Sequence, residues 1–246
     1  MNSISPNLNL MIKACEKATK VIIRDFGEIE NLQVSKKGPK DFVTKTDKRV
    51  EKIIIEELTK SKKNYSFITE ETGKILNKNK NIFWIVDPID GTTNFLNGVP
   101  HFCISIALLI NNEITAGVIY DPIKDEIFYA EKNGGAYLNN KSIRVSKKSL
   151  ISDCLYGVNF RNNIPENFII RNTGSAALDL AYVSAGRFDG SIQRNVNLWD
   201  IAAGTVLIRE AGGIVDKFEL DKFNKINIKA SNERINKDLF KKISIF

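Results

Sequence analysis

Residues that bind zinc or form disulfides are scarce in this sequence. The three cysteines (Cys15, Cys103 and Cys154) lie far apart without any CxxC pair, and His101 is the only histidine. This pattern argues against a disulfide framework and a structural zinc site, and it suits a reducing cytoplasm. A serine hydrolase would depend on His101 alone and would lack a GxSxG motif here, so that class of enzyme is not expected.

Long hydrophobic runs are also missing. The longest, Phe102–Ile110, is far shorter than the roughly 20 residues that a membrane-spanning helix needs. The N-terminus has no basic segment followed by an apolar stretch, so a signal peptide is not expected. With 43% hydrophobic and 26% charged residues, the composition is that of an ordinary globular protein with a sizeable core. We therefore expect a cytoplasmic protein without a membrane-spanning segment.

The formal net charge of +7 invites comparison with nucleic-acid-binding proteins. The lysines and arginines are dispersed, however, and the sequence has no basic stripe interleaved with aromatic residues, no RNP-like motif and no zinc finger. A lysine-rich, solvated surface accounts for the charge more simply. Association with nucleic acid or with RNA polymerase stays open but receives no support from motifs.

The spacing of apolar residues predicts a mixture of helices and strands. The predicted helices are Pro6 to Phe26, a second helix that carries Val43, Asp47, Val50, Ile54 and Leu58, Ser175–Ala185, Trp199–Ala211 and Asn232–Ile243. The predicted strands are Tyr65–Thr69, Ile82–Asp87, a meander between Phe102 and Val145, Cys154–Phe160 and two short strands before the last helix. Strands in both halves of the chain with helices between them indicate a layered α/β protein.

The densest chemical signal is the segment Trp84–Asn94, with the sequence WIVDPIDGTTN. An apolar strand leads into a turn at which Asp87 and Asp90 can face one cation, and the hard cation Mg²⁺ prefers carboxylate oxygens. The backbone N–H groups of residues 91–93 follow at a turn or helix start, where phosphate oxygens bind well. A DPxD sequence alone is typical of a surface turn, but the GTTN that follows favours a metal and phosphate site.

Three other acidic positions lie at the ends of predicted elements, and one of them could complete such a site. Glu70 belongs to a Glu pair that ends a predicted strand and could share a metal with Asp87, since two-metal hydrolysis needs several convergent acids. Asp47 lies at the N-terminus of the second predicted helix, and Asp200 lies in the Trp-Asp pair that opens a later one. Taken singly, each is more typical of a solvated loop or of an acid that the helix dipole favours.

Taken together, these segments resemble the inositol monophosphatase family, a branch of a lithium-sensitive, Mg²⁺-dependent phosphatase superfamily. The resemblance covers nearly the whole chain and points to a bacterial member. It rests on DFVTKTD (41–47), ITEE (68–71), WIVDPIDGTTN (84–94), GSAALDL (174–180), WDIAAG (199–204) and EAGG (210–213). The fold that it implies is a layered α-β-α-β-α sandwich in one domain, 1–246. Its N-terminal half (about 1–148) would hold a largely antiparallel sheet, and its C-terminal half (about 149–246) a smaller α/β unit.

The resemblance also implies which residues bind metal. Glu70, Asp87 and the backbone carbonyl of Ile89 would hold one Mg²⁺. Asp87, Asp90 and Asp200 would hold a second, and two or three ions are expected in all. Carboxylates at such close range raise one another's pKa unless cations compensate their charge.

Catalysis, by the same resemblance, would use Asp47, Thr92 and Glu70. Thr92, hydrogen-bonded to Asp47, would orient the water that attacks phosphorus and help to remove its proton. Phosphate oxygens would meet backbone N–H groups, and the alcohol portion of the substrate would lie against the GSAALDL segment. The residues expected to contact substrate are Gly91, Thr92, Thr93, Ser175, Ala176 and Gln193.

Two features depart from the usual family pattern. Gln193 stands where relatives usually have a Glu that contacts sugar hydroxyls, and it removes a charge beside the substrate. The segment between Phe160 and Arg171 is too short for an additional helix that relatives commonly carry near the substrate mouth and the subunit interface. Because the metal and phosphate residues are intact, we expect a changed leaving-group preference rather than lost activity.

Three functions are compatible with the resemblance. The first is hydrolysis of inositol monophosphate, with tolerance for other small phosphate monoesters. The second is a related phosphatase for histidinol phosphate, a 3′-phosphoadenosine nucleotide or a sugar phosphate. The third is a regulatory protein that associates with RNA polymerase, as some bacterial relatives do. A small phosphorylated metabolite is the expected partner of the enzyme, and a homodimer is compatible with the resemblance.

Overall fold

The computed structural model describes residues 4–28, 34–36, 42–162, 164–220 and 225–242 of the 246-residue chain. Its helices are α1 (Pro6–Gly27), α2 (Lys45–Ser61), α3 (Thr92–Leu96), α4 (Ala176–Ser184), α5 (Leu198–Glu210) and α6 (Glu233–Lys242). A short 3₁₀ turn covers Ile151–Asp153. Within the described ranges, no helix combines the length and the apolar character needed to cross a membrane.

The strands form a hairpin and two larger sheets. The hairpin pairs β1 (Val34–Lys36) with β2 (Phe42–Thr44). The large sheet, in the order β10-β9-β8-β7-β6-β5-β3-β4, contains β3 (Tyr65–Thr69), β4 (Gly73–Ile75), β5 (Asn79–Asp90), β6 (Cys103–Ile110), β7 (Glu113–Asp121), β8 (Glu126–Glu131), β9 (Gly135–Leu138) and β10 (Lys141–Ser142). The small sheet, in the order β12-β11-β13-β15-β14, contains β11 (Leu155–Val158), β12 (Ile169–Arg171), β13 (Gly190–Val196), β14 (Gly213–Val215) and β15 (Ile226–Asn232).

One parallel pair in the large sheet sets up the candidate site. Neighbouring strands of this sheet are antiparallel except β3 and β5, which run in the same direction. Thr69 at the end of β3 is therefore opposite Val86 in β5. Glu70 and Asp87 are the next residues along these two strands, so both reach the same edge of the sheet.

Helices α1 and α2 cover one face of the large sheet. Ser5 caps α1 by accepting a hydrogen bond from the N–H of Leu8 (3.2 Å), and Pro6 occupies the first turn, where its missing N–H costs nothing. Buried apolar residues then recur at helical spacing as far as Ile22. Helix α2 packs beside α1, with its own apolar stripe in the same core.

The remaining helices complete the layers. Helices α4 and α5 fill the space between the two sheets and are apolar on nearly all sides, as helices with sheet on both faces must be. Helix α6 packs on the other face of the small sheet through Ile235 and Leu239. The layers are thus α1/α2, large sheet, α4/α5, small sheet and α6. The predicted layered α-β-α-β-α fold, with a largely antiparallel first sheet, is confirmed.

Several predicted element boundaries are wrong, among them those of the second helix and of the strand before Pro88. Val43 lies in β2 rather than in the second helix, which begins at Lys45, and a β-branched residue is well suited to the extended chain. The strand predicted to end before Pro88 continues to Asp90. Pro88 has no N–H for the ladder, but the pairing of β5 with β6 shifts register between Asp87 and Asp90, and the proline falls within this irregularity.

The apolar pattern alone also missed β1, β2, β4, β12 and β13. In β13, Ser191 and Gln193 place polar side chains on a buried face, so the usual alternation of apolar and polar residues is absent. Two positions of the predictions, Asp41 in the DFVTKTD motif and Ile243 at the end of the last helix, lie outside the described residues. The single-domain organisation with a division near residue 148 stays a prediction.

Candidate active site and metal centre

The end of β5 brings the carboxylates of Asp87 and Asp90 together. The N–H of Ile89 donates a hydrogen bond to Oδ1 of Asp87 (3.0 Å), which turns the chain around the first carboxylate. Gly91 follows with a φ of +98°, and a Cβ atom there would lie 3.0 Å from the carbonyl oxygen of His101. Both the backbone conformation and the close approach require glycine, so the turn from β5 into α3 depends on this residue.

Asp90 is held by the N-terminus of α4. Its Oδ2 accepts hydrogen bonds from the Ser175 hydroxyl and from the N–H of Ala177 (2.8 Å), and Sγ of Cys103 lies 3.9 Å away. The Ser175 hydroxyl also caps α4 by accepting a hydrogen bond from the N–H of Leu178 (3.2 Å). Burial raises the pKa of Asp90 to about 6, although the hydrogen bonds from Ser175 and Ala177 act in the opposite direction.

Asp200 reaches the same point from the first turn of α5. Its Oδ2 accepts a hydrogen bond from the N–H of Asn197 (2.7 Å), which closes a capping box and fixes the carboxylate at the helix N-terminus. One carboxylate oxygen from each of Asp87, Asp90 and Asp200 lies within 4.8 Å of the other two. Burial and the charge of Asp90 raise the pKa of Asp200 to about 7.

Glu70 and Asp47 extend this group of acids. The N–H of Glu70 donates to the carbonyl of Val86 (3.2 Å), and its carboxyl shares a hydrogen bond with Asp87. Burial and the charge of Asp200 raise the pKa of Glu70 to about 8, while burial and the charge of Glu70 raise that of Asp87. The Asp47 side chain, only 2% exposed in the first turn of α2, contributes to the raised pKa of Glu70.

The acid cluster comprises Asp47, Glu70, Asp87, Asp90 and Asp200. Burial raises the pKa values of Glu70, Asp87, Asp90 and Asp200, and for the first, second and fourth of these the charges of neighbouring acids add to the effect. A divalent cation at this point would compensate the same charges. The clustered atoms are carboxylate oxygens, which suit the hard cation Mg²⁺ better than a soft metal that prefers thiolates. The residues present therefore fit the predicted Mg²⁺ site.

Thr92 begins α3 at the edge of the acid cluster. Its hydroxyl donates a hydrogen bond to the Ile89 carbonyl (2.9 Å), the oxygen that was expected to bind metal. The hydrogen bond between Thr92 and Asp47 stays a prediction. The first N–H groups of a helix have no partner within the helix, so those of Thr92 and Thr93 are suited to the predicted phosphate contact.

The two residues of the GSAALDL segment predicted to contact the substrate alcohol lie at different depths. Ala176 is partly exposed at the start of α4. Ser175 is buried, and its hydroxyl donates to Asp90. The structure therefore ties Ser175 directly to the acid cluster, a contact that the residue's position in the sequence did not indicate.

Gln193 belongs to a buried polar network under α4. Only 1% of the residue is exposed, and its Nε2 donates to Oδ2 of Asp179 (2.8 Å) and to Oγ of Ser191 (2.9 Å). The Thr173 hydroxyl donates to the other oxygen of Asp179 (2.7 Å), and burial raises the pKa of Asp179 to about 7. Sequence reasoning missed Asp179, although its position one helical turn after Ser175 places both on one side of α4.

The match to known protein families covers almost the whole chain. The model of the inositol monophosphatase family matches residues 4–244. This chain belongs to the inositol monophosphatase family. The acid cluster and both sheets lie within the matched region, and the resemblance drawn from the motifs is confirmed.

Individual members of the inositol monophosphatase family are similar over nearly their full length. An inositol-1-monophosphatase of Mesorhizobium japonicum is 44% identical, over 96% of this chain and 95% of that protein. A Nus factor SuhB of Haemophilus influenzae is 39% identical, over 98% of this chain and 96% of that protein. In the solved structure of the extragenic suppressor protein suhB from Bartonella henselae, 97% of that chain matches 96% of this one, with a TM-score of 0.89 at 44% identity. An IMPase of Thermotoga maritima gives a TM-score of 0.87 at 35% identity, with 96% of both chains covered.

Proposed function

We propose that this chain is a Mg²⁺-dependent phosphatase of small phosphate monoesters, with inositol monophosphate as the first candidate substrate. The observation that carries the proposal is the convergence of Asp87, Asp90 and Asp200, whose oxygens lie within 4.8 Å of one another. Two of them come from the edge of the large sheet and the third from a helix between the sheets. Relatives named inositol-1-monophosphatase support the choice of reaction.

The proposed ligands of two or three Mg²⁺ ions are Glu70, Asp87, Asp90, Asp200 and the Ile89 carbonyl. Bound Mg²⁺ would supply Lewis-acid stabilisation of charge on the phosphoryl oxygens and lower the pKa of water. Carboxylates bind metal in their deprotonated form. Asp90, Asp200 and Glu70, with pKa values of about 6, about 7 and about 8, would therefore release protons as the cation enters. Cation affinity should therefore rise with pH across this range.

The remaining steps use the chain's own groups. Backbone N–H groups of Gly91, Thr92 and Thr93 would bind phosphate oxygens at the start of α3. Thr92 and Asp47 would orient the attacking water and take up its proton, with Glu70 as the third catalytic residue. A hydroxyl donates a single hydrogen, so the proposed bond from Thr92 to Asp47 requires that hydrogen to turn away from the Ile89 carbonyl. Phosphoryl transfer depends mainly on such positioning and on charge stabilisation.

The alcohol portion of the substrate would lie near the start of α4. Gln193 is engaged with Asp179 and Ser191, and it brings no negative charge to this side of the site. We therefore keep histidinol phosphate, a 3′-phosphoadenosine nucleotide and a sugar phosphate as alternative substrates. Ser175 and Ala176 at the start of α4, together with Gln193, are the residues proposed to distinguish among them.

A second candidate function is regulatory binding. Relatives named Nus factor SuhB are 38–40% identical to this chain, and one of them matches over 98% of it. We propose association with the transcription apparatus, including RNA polymerase, as the alternative role. Such binding would survive the loss of a metal ligand, whereas phosphatase activity would not, so one variant separates the two functions.

The test is Mg²⁺-dependent phosphate release from inositol 1-phosphate, histidinol phosphate, a 3′-phosphoadenosine nucleotide and fructose 1,6-bisphosphate. Each is measured with Mg²⁺, with EDTA and with Mg²⁺ plus Li⁺. Asp90→Asn removes a charge from the acid cluster, whereas Asp153→Asn removes one from an exposed residue of the 3₁₀ turn and serves as control.

Activity that requires Mg²⁺, falls with Li⁺ and is lost only in Asp90→Asn would support the phosphatase, and the best substrate would decide its specificity. A folded protein that releases no phosphate from any of the four compounds would contradict it. In that case, capture of RNA polymerase by both the native protein and Asp90→Asn would favour the regulatory role.

A further inference from the structure

A carboxylate outside the acid cluster is buried as deeply as those within it. Glu51 lies on α2, one helical turn after Asp47, and is only 1% exposed. Residues four apart on a helix share a face, so both acids point to the same side of α2. An ionised carboxylate is costly to bury unless hydrogen bonds satisfy its oxygens.

Both oxygens of Glu51 accept hydrogen bonds from one short turn. The N–H of Glu71 donates to Oε2 (2.8 Å), and the N–H of Thr72 donates to Oε1 (3.0 Å). The Thr72 hydroxyl also donates to Oε1. Hydrogen bonds to a charged acceptor are stronger than those between neutral groups, so this arrangement fixes the backbone of residues 71 and 72 firmly.

The same turn is anchored to the sheet on its other side. Glu70, which immediately precedes the two bonded residues, donates its N–H to the Val86 carbonyl (3.2 Å). Thr69 pairs with Gly73, and its hydroxyl donates to the Gly73 carbonyl (3.2 Å), which closes the turn between β3 and β4. Glu70 therefore lies between one anchor on β5 and a second on α2.

We propose that Glu51 is a positioning residue for the metal site: it holds the backbone of Glu71 and Thr72 so that the carboxyl of Glu70 stays beside Asp87. Glu51 itself touches neither substrate nor metal. Helix α2 would then place two members of the acid cluster. It carries Asp47 itself, and through Glu51 and the turn it positions Glu70. This inference rests on the proposed role of Glu70 as a Mg²⁺ ligand.

The sharpest test replaces Glu51 by its isosteric amide. In Glu51→Gln, one oxygen becomes an NH₂ group, and whichever way the amide lies, this group faces a backbone N–H that also donates. We expect Mg²⁺ affinity, measured by calorimetry without substrate, to fall by about 10-fold. This is the lower end of the roughly 10- to 100-fold loss that follows when a group that orients a metal ligand is mutated. The amides of Glu71 and Thr72 should also exchange hydrogen faster, while the KM for substrate at saturating Mg²⁺ is unchanged.

Two further variants separate positioning from general structural damage. Glu56→Gln makes the same change on an exposed residue of α2 and should keep native Mg²⁺ affinity. Thr72→Val removes one donor to Glu51 but keeps both backbone bonds, so a smaller loss of affinity in the same direction is expected. If Glu51→Gln does not fold, Thr72→Val decides: native affinity in that variant would overturn the proposal.

A last variant, Glu70→Gln, distinguishes the two ways in which the idea can fail. If it binds Mg²⁺ as the native protein does, Glu70 is not a ligand and the proposed metal set is wrong. If Glu70→Gln weakens binding while folded Glu51→Gln binds like the native protein, the metal set stands and only the positioning role is overturned.

Discussion

Gly117 marks the place where α5 crosses the large sheet. A Cβ atom at this position of β7 would lie 2.7 Å from the carbonyl oxygen and 2.8 Å from the Cα of Ala203. Both atoms belong to the backbone of α5 and cannot rotate away. Ordinary contact begins at 3.4 Å, so the helix would have to withdraw by about 0.7 Å to admit one methyl group. Asp200 lies one turn earlier on the same helix, so the displacement would reach the acid cluster.

Gly117→Ala should therefore weaken both the fold and the metal site. Overpacking of a well-packed core typically costs about 1–3 kcal/mol, and we expect the free energy of unfolding to fall by that amount. The displaced α5 would carry Asp200 away from Asp87 and Asp90, so we also expect weaker Mg²⁺ binding in the variant. Gly117 has no positive φ, so the loss would come from the contact with α5 rather than from backbone strain.

The assay is urea unfolding in EDTA, followed by Mg²⁺ titration of the folded variant. The midpoint should shift to lower urea at an unchanged m-value, since the surface exposed on unfolding is the same. Gly27→Ala is the matched control, because nothing lies within 4 Å of its Cβ and alanine favours the helix end at which it lies. Native stability and native Mg²⁺ affinity in Gly117→Ala would refute the close contact between α5 and β7.

Three other outcomes follow from the charges of the site. In EDTA, the melting temperature should fall as pH rises from 5 to 8, because carboxyls with raised pKa values, such as Glu70 at about 8, bind more protons in the native state than in the unfolded chain. A melting temperature that rises over this interval would contradict the proposed electrostatics. Ser175→Ala removes a hydrogen bond to ionised Asp90, so Mg²⁺ affinity measured by calorimetry should fall more at pH 6 than at pH 8. Equal losses of affinity at the two pH values would contradict this. Gln193→Glu places a second carboxylate beside Asp179, so urea unfolding should show a larger loss of stability at pH 8 than at pH 6. A larger loss at pH 6 would count against the network.

Local chemistry made part of the site predictable from the sequence. Asp87 and Asp90 are three residues apart around a proline and a glycine, so their proximity follows from the turn itself. The helices α1, α4 and α5 follow from apolar spacing together with Ser and Gly at their ends, and their observed limits differ from the predicted ones by only one or two residues.

The rest of the site depends on contacts between distant segments. Nothing in the spacing shows that Glu70 lies beside Asp87, because that follows from the parallel pairing of β3 with β5. Asp200 joined the site only through the family resemblance, and its position depends on the packing of α5 between the sheets. Glu51 looks like any acid on a helix until the turn at residues 71 and 72 is seen to donate to it.

Buried polar residues explain why the apolar pattern missed β13. In β13, Gln193 and Ser191 face α4 because Asp179 offers Gln193 a hydrogen-bond partner inside the protein. A rule based on apolar alternation cannot recognise such a strand, since the partner lies on a different element.

The most direct test of the account is calorimetric titration of Mg²⁺ into the native protein, Asp200→Asn and Asp153→Asn. Asn at position 200 can still accept the capping bond from Asn197, so the start of α5 is kept while one charge of the cluster is lost. We expect native Mg²⁺ affinity in Asp153→Asn and an affinity lower by about 10-fold or more in Asp200→Asn. Mutating a group that only orients a metal ligand already costs about 10-fold, and the loss of a ligand should cost at least as much. Native Mg²⁺ affinity in folded Asp200→Asn would show that α5 and the edge of the large sheet do not share one metal site.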